Sequence, residues 1–256
     1  MRVSNIMKKT LYTTFIFILP ILGFCQQVHD QTKIVVDYIF TLPSSDQHSA
    51  AKTQVNTQLL IGSTSSLYRA EPKAKSGQSK IEQNNGGTEL KFKSNMPNIQ
   101  QYLRNYDPQK KDLVGSVLVK PYYWEQDKTT LKWEILKEKQ LIAGYNCTKA
   151  KMFSERSQKY FLAWFTADIP FPTGPSNAGG LPGLILKFES EDKTLGWEAV
   201  KVSKPNETNK IVWFDKDVQK TTKADFDRAM EAYRKDPQLI INQMNIKGTV
   251  SGLKVQ

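Results

Sequence analysis

The chain has 256 residues, with 36 Lys and Arg against 25 Asp and Glu for a net charge of +11, and only two His and two Cys. Two histidines without an H-E-x-x-H run, and no paired cysteines, do not furnish the ligand set of a zinc hydrolase. The lysines are interleaved with acids, as in Lys187-Phe188-Glu189-Ser190-Glu191-Asp192-Lys193, so the positive charge makes a solvated face and not the basic stripe of a nucleic-acid binder.

Lys8 and Lys9 precede an apolar run from Leu11 to Phe24 that is too short and too early for a spanning helix. Residues 1–25 therefore read as a secretory signal peptide, with Gly23 and Cys25 at the small-residue cleavage positions and Gln26 as the mature start. Cys25 has an alternative use as the lipid-bearing first residue of a lipoprotein, which Phe24 disfavours because that processing wants a small residue there. Removing Arg2, Lys8 and Lys9, with no acid in the segment, takes the charge from +11 to +8. Cys147 is then the one remaining thiol, so the fold has no internal disulfide and relies on its core. Residues 26–256 are read as one β-rich domain with no membrane-length apolar run, expected in the periplasm or at the cell surface.

Ile34, Val36, Tyr38 and Phe40 alternate with their neighbours, the period-two pattern of a strand with one buried face. Val55, Thr57, Leu59 and Ile61 resume it, and Gly62 turns the chain into Ser66-Leu67-Tyr68 as a hairpin. Residues 71–87 are polar and read as a mobile loop. Strands are then expected at Leu90 to Phe92, Val114 to Val119, Leu131 to Ile135, Tyr145 to Phe153 and Gln158 to Phe165, close enough in sequence for an antiparallel meander. Tyr160 to Phe165 is apolar on both faces and is expected to be central and covered on both sides. Leu184, Leu186 and Phe188 begin the next strand, and Trp197 to Val202 and Ile211 to Phe214 supply two more. Thr222 followed by Asp225 has the form of a capping box; Phe226, Met230 and Tyr233 share one helical face, and Pro237 ends the helix. The fold expected is mainly β, a curved, half-barrel-like antiparallel meander with one C-terminal covering helix.

The runs Trp133-Glu134-Ile135, Ile142 to Ala150, Ala163-Trp164-Phe165-Thr166, Ile169-Pro170, Gly174-Pro175 and Gly180-Leu181-Pro182-Gly183-Leu184-Ile185 follow one another in order. In these runs the chain resembles the GLPGLI family of exported proteins from the Bacteroidetes. The resemblance implies secretion, a strand-rich domain and no established biochemical activity. It supplies no catalytic residues.

Prolines 170, 172, 175 and 182 and glycines 174, 179, 180 and 183 crowd the loop from Thr166 to Gly183. Pro182-Gly183 fits the centre of a type II turn that tucks Leu181 under the sheet. The loop is read either as a structural plug whose leucines complete the core or as a ligand-facing rim of backbone amides made by Gly180, Leu181, Pro182 and Gly183. No Lys-Ser or Lys-Thr follows the glycines, so it is not a phosphate loop. Cys147 lies far in sequence from His29 and His48 and reads as a buried free thiol; a soft-metal site would require Met96, Met152, Met230 or Met244 to gather beside it. Gly174-Pro175-Ser176-Asn177-Ala178 ends in Ala and is not a nucleophile elbow, and Glu134, Glu189, Glu191 and Asp192 read as charges on a wet face.

Tyr122, Tyr123 and Trp124 cannot all face inward on one strand and are expected to be partly exposed. With the hexapeptide loop they form the candidate binding residues. The reading is a non-enzymatic binding or carrier module of the cell envelope, with no cofactor and no metal, whose partner is an apolar, peptide or glycan ligand. The alternatives are an accessory partner of an outer-membrane protein complex and an enzyme of unrecognised type.

Overall fold

The computed structural model of the chain describes residues 28–43, 52–70, 100–117, 121–213 and 218–236. The signal peptide, His48, the polar stretch 71–87, the strand expected at 90–92, Met96, Met244, Phe214 and Pro237 lie outside the described residues.

In chain order the strands are β1 (Val28–Asp30), β2 (Ile34–Pro43), β3 (Lys52–Ile61), β4 (Ser65–Ala70), β5 (Gln101–Asn105), β6 (Asp112–Val117), β7 (Pro121–Gln126), β8 (Glu134–Ile142), β9 (Tyr145–Ser154), β10 (Lys159–Thr166), β11 (Leu184–Ser190), β12 (Gly196–Ser203), β13 (Ile211–Val212) and β14 (Gln219–Lys220), followed by helix α1 (Lys223–Lys235). Twelve strands make one open sheet in the order β14-β7-β6-β5-β4-β3-β2-β12-β11-β10-β9-β8, and β1 pairs with β13 outside it. All of its pairings are antiparallel except the short one between β14 and β7. Thus the expected meander is present, and it is the connection from β2 to β12 that joins its two runs.

The sheet is strongly curled, and the Pro/Gly loop shows by how much. Arg104 on β5 donates from Nη2 to the Asn177 carbonyl at 2.8 Å, while Trp133, just ahead of β8, donates from Nε1 to the Gly179 carbonyl at 2.9 Å. β5 and β8 stand eight strand spacings apart, roughly 38 Å across a flat sheet at about 4.8 Å per strand. Both reach one short piece of loop, so the sheet wraps around it.

Register explains how each face is filled. On the inner face Val36, Leu59, Tyr68, Tyr102, Val114 and Trp124 are successive cross-strand partners from β2 to β7, all buried. Towards β10, stacked rings continue the packing: Phe40 on Trp197 at 4.4 Å, Trp197 on Phe188 at 5.6 Å and Phe188 on Phe161 at 5.2 Å between centroids. On the outer face Val35, Leu60, Leu67, Leu103 and Leu113 form a second straight row, and Ile211 of β13 packs onto it.

Helix α1 starts as the sequence indicates: Thr222 Oγ1 accepts the Asp225 N–H at 3.1 Å, while Asp225 opens and Arg234 and Lys235 close the helix in accord with its dipole. Phe226 is its one fully buried residue, seated on Trp124 at 5.1 Å and Tyr122 at 5.9 Å. The helix therefore covers the inner face at β7.

Two strand expectations need correction. The strand expected at Leu131 to Ile135 begins at Glu134 and runs on to Ile142, because edge strand β8 is held by pairing with β9 rather than by burial of its own apolar residues. β10 is not covered on both sides: Ala163 and Phe165 are buried inward, but Tyr160 is 43% exposed and Leu162 and Trp164 are half-buried on an outer face that no element among the described residues covers. Their apolar character is satisfied partly by lysine stems and ammoniums, with Lys151 Nζ 4.0 Å from the Tyr160 ring centre and Lys149 Nζ 5.6 Å from that of Trp164.

Candidate functional site

The aromatic triplet on β7 is divided by strand alternation. Tyr122 and Trp124 turn to the inner face under Phe226, and Tyr123 turns outward against Trp213 at 6.4 Å. Trp124 is only 2% exposed, which corrects its expected exposure: Phe226 of α1 closes over it. The triplet is therefore not a shared platform.

The hexapeptide loop is built inward. Leu181 is 1% exposed and sits with Ala178, Ile169, Leu184 and Ile185 in the main core, while Gly180 and Pro182 face solvent. The expected type II turn is absent. Gly183 N–H donates to the Leu181 carbonyl at 2.8 Å, an i to i+2 turn centred on Pro182, and Leu184 N–H goes instead to Ile169 at 3.0 Å. Pro170 and Pro172 are the centres of two further turns of the same kind, since Phe171 N–H donates to Ile169 and Thr173 N–H to Phe171, each at 2.8 Å. Proline's fixed φ suits that central position and explains the spacing of three of the loop's prolines.

Close approach explains two of the glycines. A Cβ on Gly183, at φ +155°, would stand 2.7 Å from the Thr166 carbonyl carbon, and one on Gly179 would stand 2.6 Å from Arg104 Cζ. Ser66 and Thr173 hydroxyls meet at 2.9 Å, and Tyr38 Oη donates to the Ile185 carbonyl at 2.6 Å, fixing the loop to β4 and β2. The amides of Gly180, Gly183 and Leu184 are all spent within the loop and its strand. Those three amides are therefore not free for a ligand.

Cys147 is fully buried, and burial followed by the nearby Asp168 charge pushes its thiol up to about 11. His29 contacts Asn105 at 3.4 Å, on β5 and not on β9. Among the described residues no group of three or more His, Cys, Asp or Glu is arranged to hold a metal ion. Tyr38 and Tyr68 lie nearby in the core; burial raises the Tyr68 phenol to about 12, and it accepts the Trp197 indole N–H at 2.7 Å.

The candidate site that the sequence reading missed is on the open outer face. Register sets two rows side by side across β10, β11, β12, β2 and β3: Trp164, Lys187, Glu198, Ile39 and Asn56 in one, and Leu162, Glu189, Gly196, Thr41 and Gln54 in the other. Gly196 leaves a notch between Glu189 and Thr41. A trough of about 330 Å³ opens there, with Lys52, Lys193 and Val200 at its rim. Lys187 lies between two carboxylates, 3.0 Å from Glu198 and 3.7 Å from Glu189. Val200 is the extra residue of a bulge on β12 and is 55% exposed.

One wall is held by the β11–β12 turn. Ser190 Oγ, Thr194 Oγ1 and Thr194 N–H all donate to Asp192 Oδ1, and Lys159 Nζ to Oδ2 at 2.6 Å. Lys159 first, then the two hydroxyls and the amide, hold the Asp192 carboxyl far below its ordinary value. Lys193 occupies a left-handed position at φ 55°, and Lys52 Nζ donates to its carbonyl at 2.9 Å. The sequence signal for this site was the lone Gly196 at the head of an alternating strand, legible only beside Thr41 and Glu189.

A family described as "Protein of unknown function (Porph_ging)" matches residues 154–187, which span β10, the Pro/Gly loop and the start of β11. No curated protein matches the chain significantly. Two solved structures of PNGF-II, in the P21 and C2 space groups, are similar with TM-scores of 0.51 and 0.52 at 15% and 16% identity. Each match covers 77% of this chain and 32% of the other, so the chain spans about a third of the length of those proteins. The likeness is one of fold.

Proposed function

We propose that the protein is an exported, non-enzymatic binding module of the cell envelope that presents the open outer face of its sheet to its ligand. The observation that carries this reading is the contrast between the two faces: the inner face is filled from β7 to β10 and closed by Leu181 and α1, whereas the outer face keeps an open trough at Gly196. A carrier that encloses an apolar ligand within the half-barrel would need the space that Tyr38, Tyr68, Trp197 and Leu181 occupy. The signal-like N-terminus and the GLPGLI resemblance support export. The burial of Cys147, which raises its thiol pKa, supports a role other than nucleophilic catalysis.

Strand pairing at the free edge is the feature an outer-membrane partner would use. β8 presents Lys137, Glu138 and Lys139 around a register irregularity, the charged and bulged form that blunts an edge against added strands. The face is thus the better supported surface.

The reading is tested by native mass spectrometry of the protein purified gently from its own envelope, with covalent footprinting of Lys187 and Glu198 before and after stripping. An added mass and protection of those two side chains are expected. A bare mass with unchanged labelling overturns the proposal.

A further inference from the structure

Resting on the reading of the outer face as the binding surface, we infer that the trough at Gly196 takes a neutral, hydroxyl-rich ligand, a short run of saccharide laid from β3 across β2 and β12 toward Trp164 on β10. The argument is by the chemistry of the lining. An acyl chain could lie on Ile39, Leu195, Trp197 and Val200 only by also stripping water from the interspersed charges of Lys187, Glu189 and Glu198, which opposes its burial. A polyanion meets Glu189 and Glu198, and a polycation meets Lys52, Lys187 and Lys193. Lys187 is already neutralised by both carboxylates, so a ligand with its own net charge would displace an existing pair.

A peptide recognised through its main chain needs free strand N–H and C=O groups. Here β2, β11 and β12 are each paired on both sides, so the trough lies on a face where only side chains are offered. Those side chains suit vicinal hydroxyls: Glu198 and Glu189 accept, Lys52 and Lys193 donate, and Thr41 and the Gln54 amide do both. Beside them, Trp164 and Tyr160 are partly exposed on the same face, and the Lys149 and Lys151 ammoniums over their rings add hydrogen-bond donors for hydroxyls. The rim is set in advance by the Asp192-centred turn, which lowers the ordering cost of binding.

The test uses the full mature chain, ¹⁵N-labelled, titrated separately with a panel of neutral tetrasaccharides (chitotetraose, maltotetraose, cellotetraose and mannotetraose), with an oligogalacturonate and with oleate. At least one neutral tetrasaccharide is expected to shift the amides of Thr41, Gln54, Gly196 and Glu198 and the Trp164 indole. Gly196→Val fills the notch; its added Cβ stands 3.3 Å from Glu189 Cβ, a tight contact to which Glu189 must yield by a few tenths of an ångström, so the unfolding midpoint is measured beside the binding. The substitution should weaken that binding about tenfold with little change in unfolding midpoint, and the isosteric Glu198→Gln should weaken it by a similar factor through loss of a charge-assisted acceptor. If oligogalacturonate or oleate shifts these amides and no neutral sugar does, the ligand class is overturned while the binding face stands. If no probe shifts them, the inference also fails, and footprinting of the envelope-purified protein decides separately whether the face binds anything.

Discussion

The outer face of the sheet has two regions that share β2 and β3 and differ in everything placed upon them. Around Val35 and Leu60 the outward positions are aliphatic across five strands, and β13 lays Ile211 over them. Four residues further along β2, around Ile39 and Thr41, the outward positions belong to a charged and hydroxylic row with no element above it among the described residues. The same backbone pairing serves both. What differs is whether the row repays desolvation: an aliphatic row recruits a cover, whereas Lys187 is paired with Glu189 and Glu198 within the row and a trough is left beside them. The inner face sharpens the contrast, because there even the Pro/Gly loop is folded into the core.

The largest expected effect falls on the filled side. Leu181→Ala should cost about 3 kcal/mol, since a fully buried leucine leaves a cavity its neighbours only partly close. Urea unfolding measures it, and a loss below about 1 kcal/mol would mean that the loop is not part of the core. Next is Gly183→Ala, which brings a Cβ against the Thr166 carbonyl at a left-handed φ and should cost on the order of 2 kcal/mol. A Gly183→Ala protein as stable as the parent would show that the turn around Pro182 can relax.

A smaller, pH-dependent effect is expected at the cover. Burial pushes the Asp30 carboxyl up, but the Thr64 amide and hydroxyl and the Gln31 and Ser65 amides outweigh it and hold the group below its ordinary 3.8. A carboxyl depressed in the folded state contributes stability at pH values above its unfolded pKa and loses it as pH falls through the folded value. Hydrogen exchange in β1 and β13 should therefore quicken on the acid side of 3.8 before the inner rows respond, and Asp30→Asn should flatten that dependence. Simultaneous exchange of both regions would break the comparison. The smallest effect is on the open region: Val200→Ser should change stability by less than about 0.5 kcal/mol, because the exposed side chain already faces water.

Much of the fold was legible in the chain. Alternation at Ile34, Val36, Tyr38 and Phe40 located β2, and the Thr222 cap with Asp225 located α1, because strand pleat and helix capping are local physics. Val35 stands out of phase in the same segment, and nothing nearby tells that Leu60, Leu67 and Leu103 will complete its row. Trp124 was expected to be partly exposed because three adjacent aromatics cannot all face inward, whereas alternation turns it inward and Phe226, about a hundred residues on, buries it. The two-sided apolarity of Tyr160 to Phe165 was legible too, and only the absence of any element over their outer side, among the described residues, separates a central strand from one with an open face.

By itself the sequence determined the β-rich class, the strands with strong alternation and the cap of the helix, and it left the proline-glycine loop open between an inward and an outward placement. Tertiary structure decided the rest: that Leu181 lies inside, that three prolines turn the loop, and that Gly196, Thr41, Glu198 and Trp164 share a face. The reason is range. Alternation and capping are set by neighbours within a few residues, whereas a trough is set by register between strands that the chain brings together from as far apart as Ile39 and Glu198.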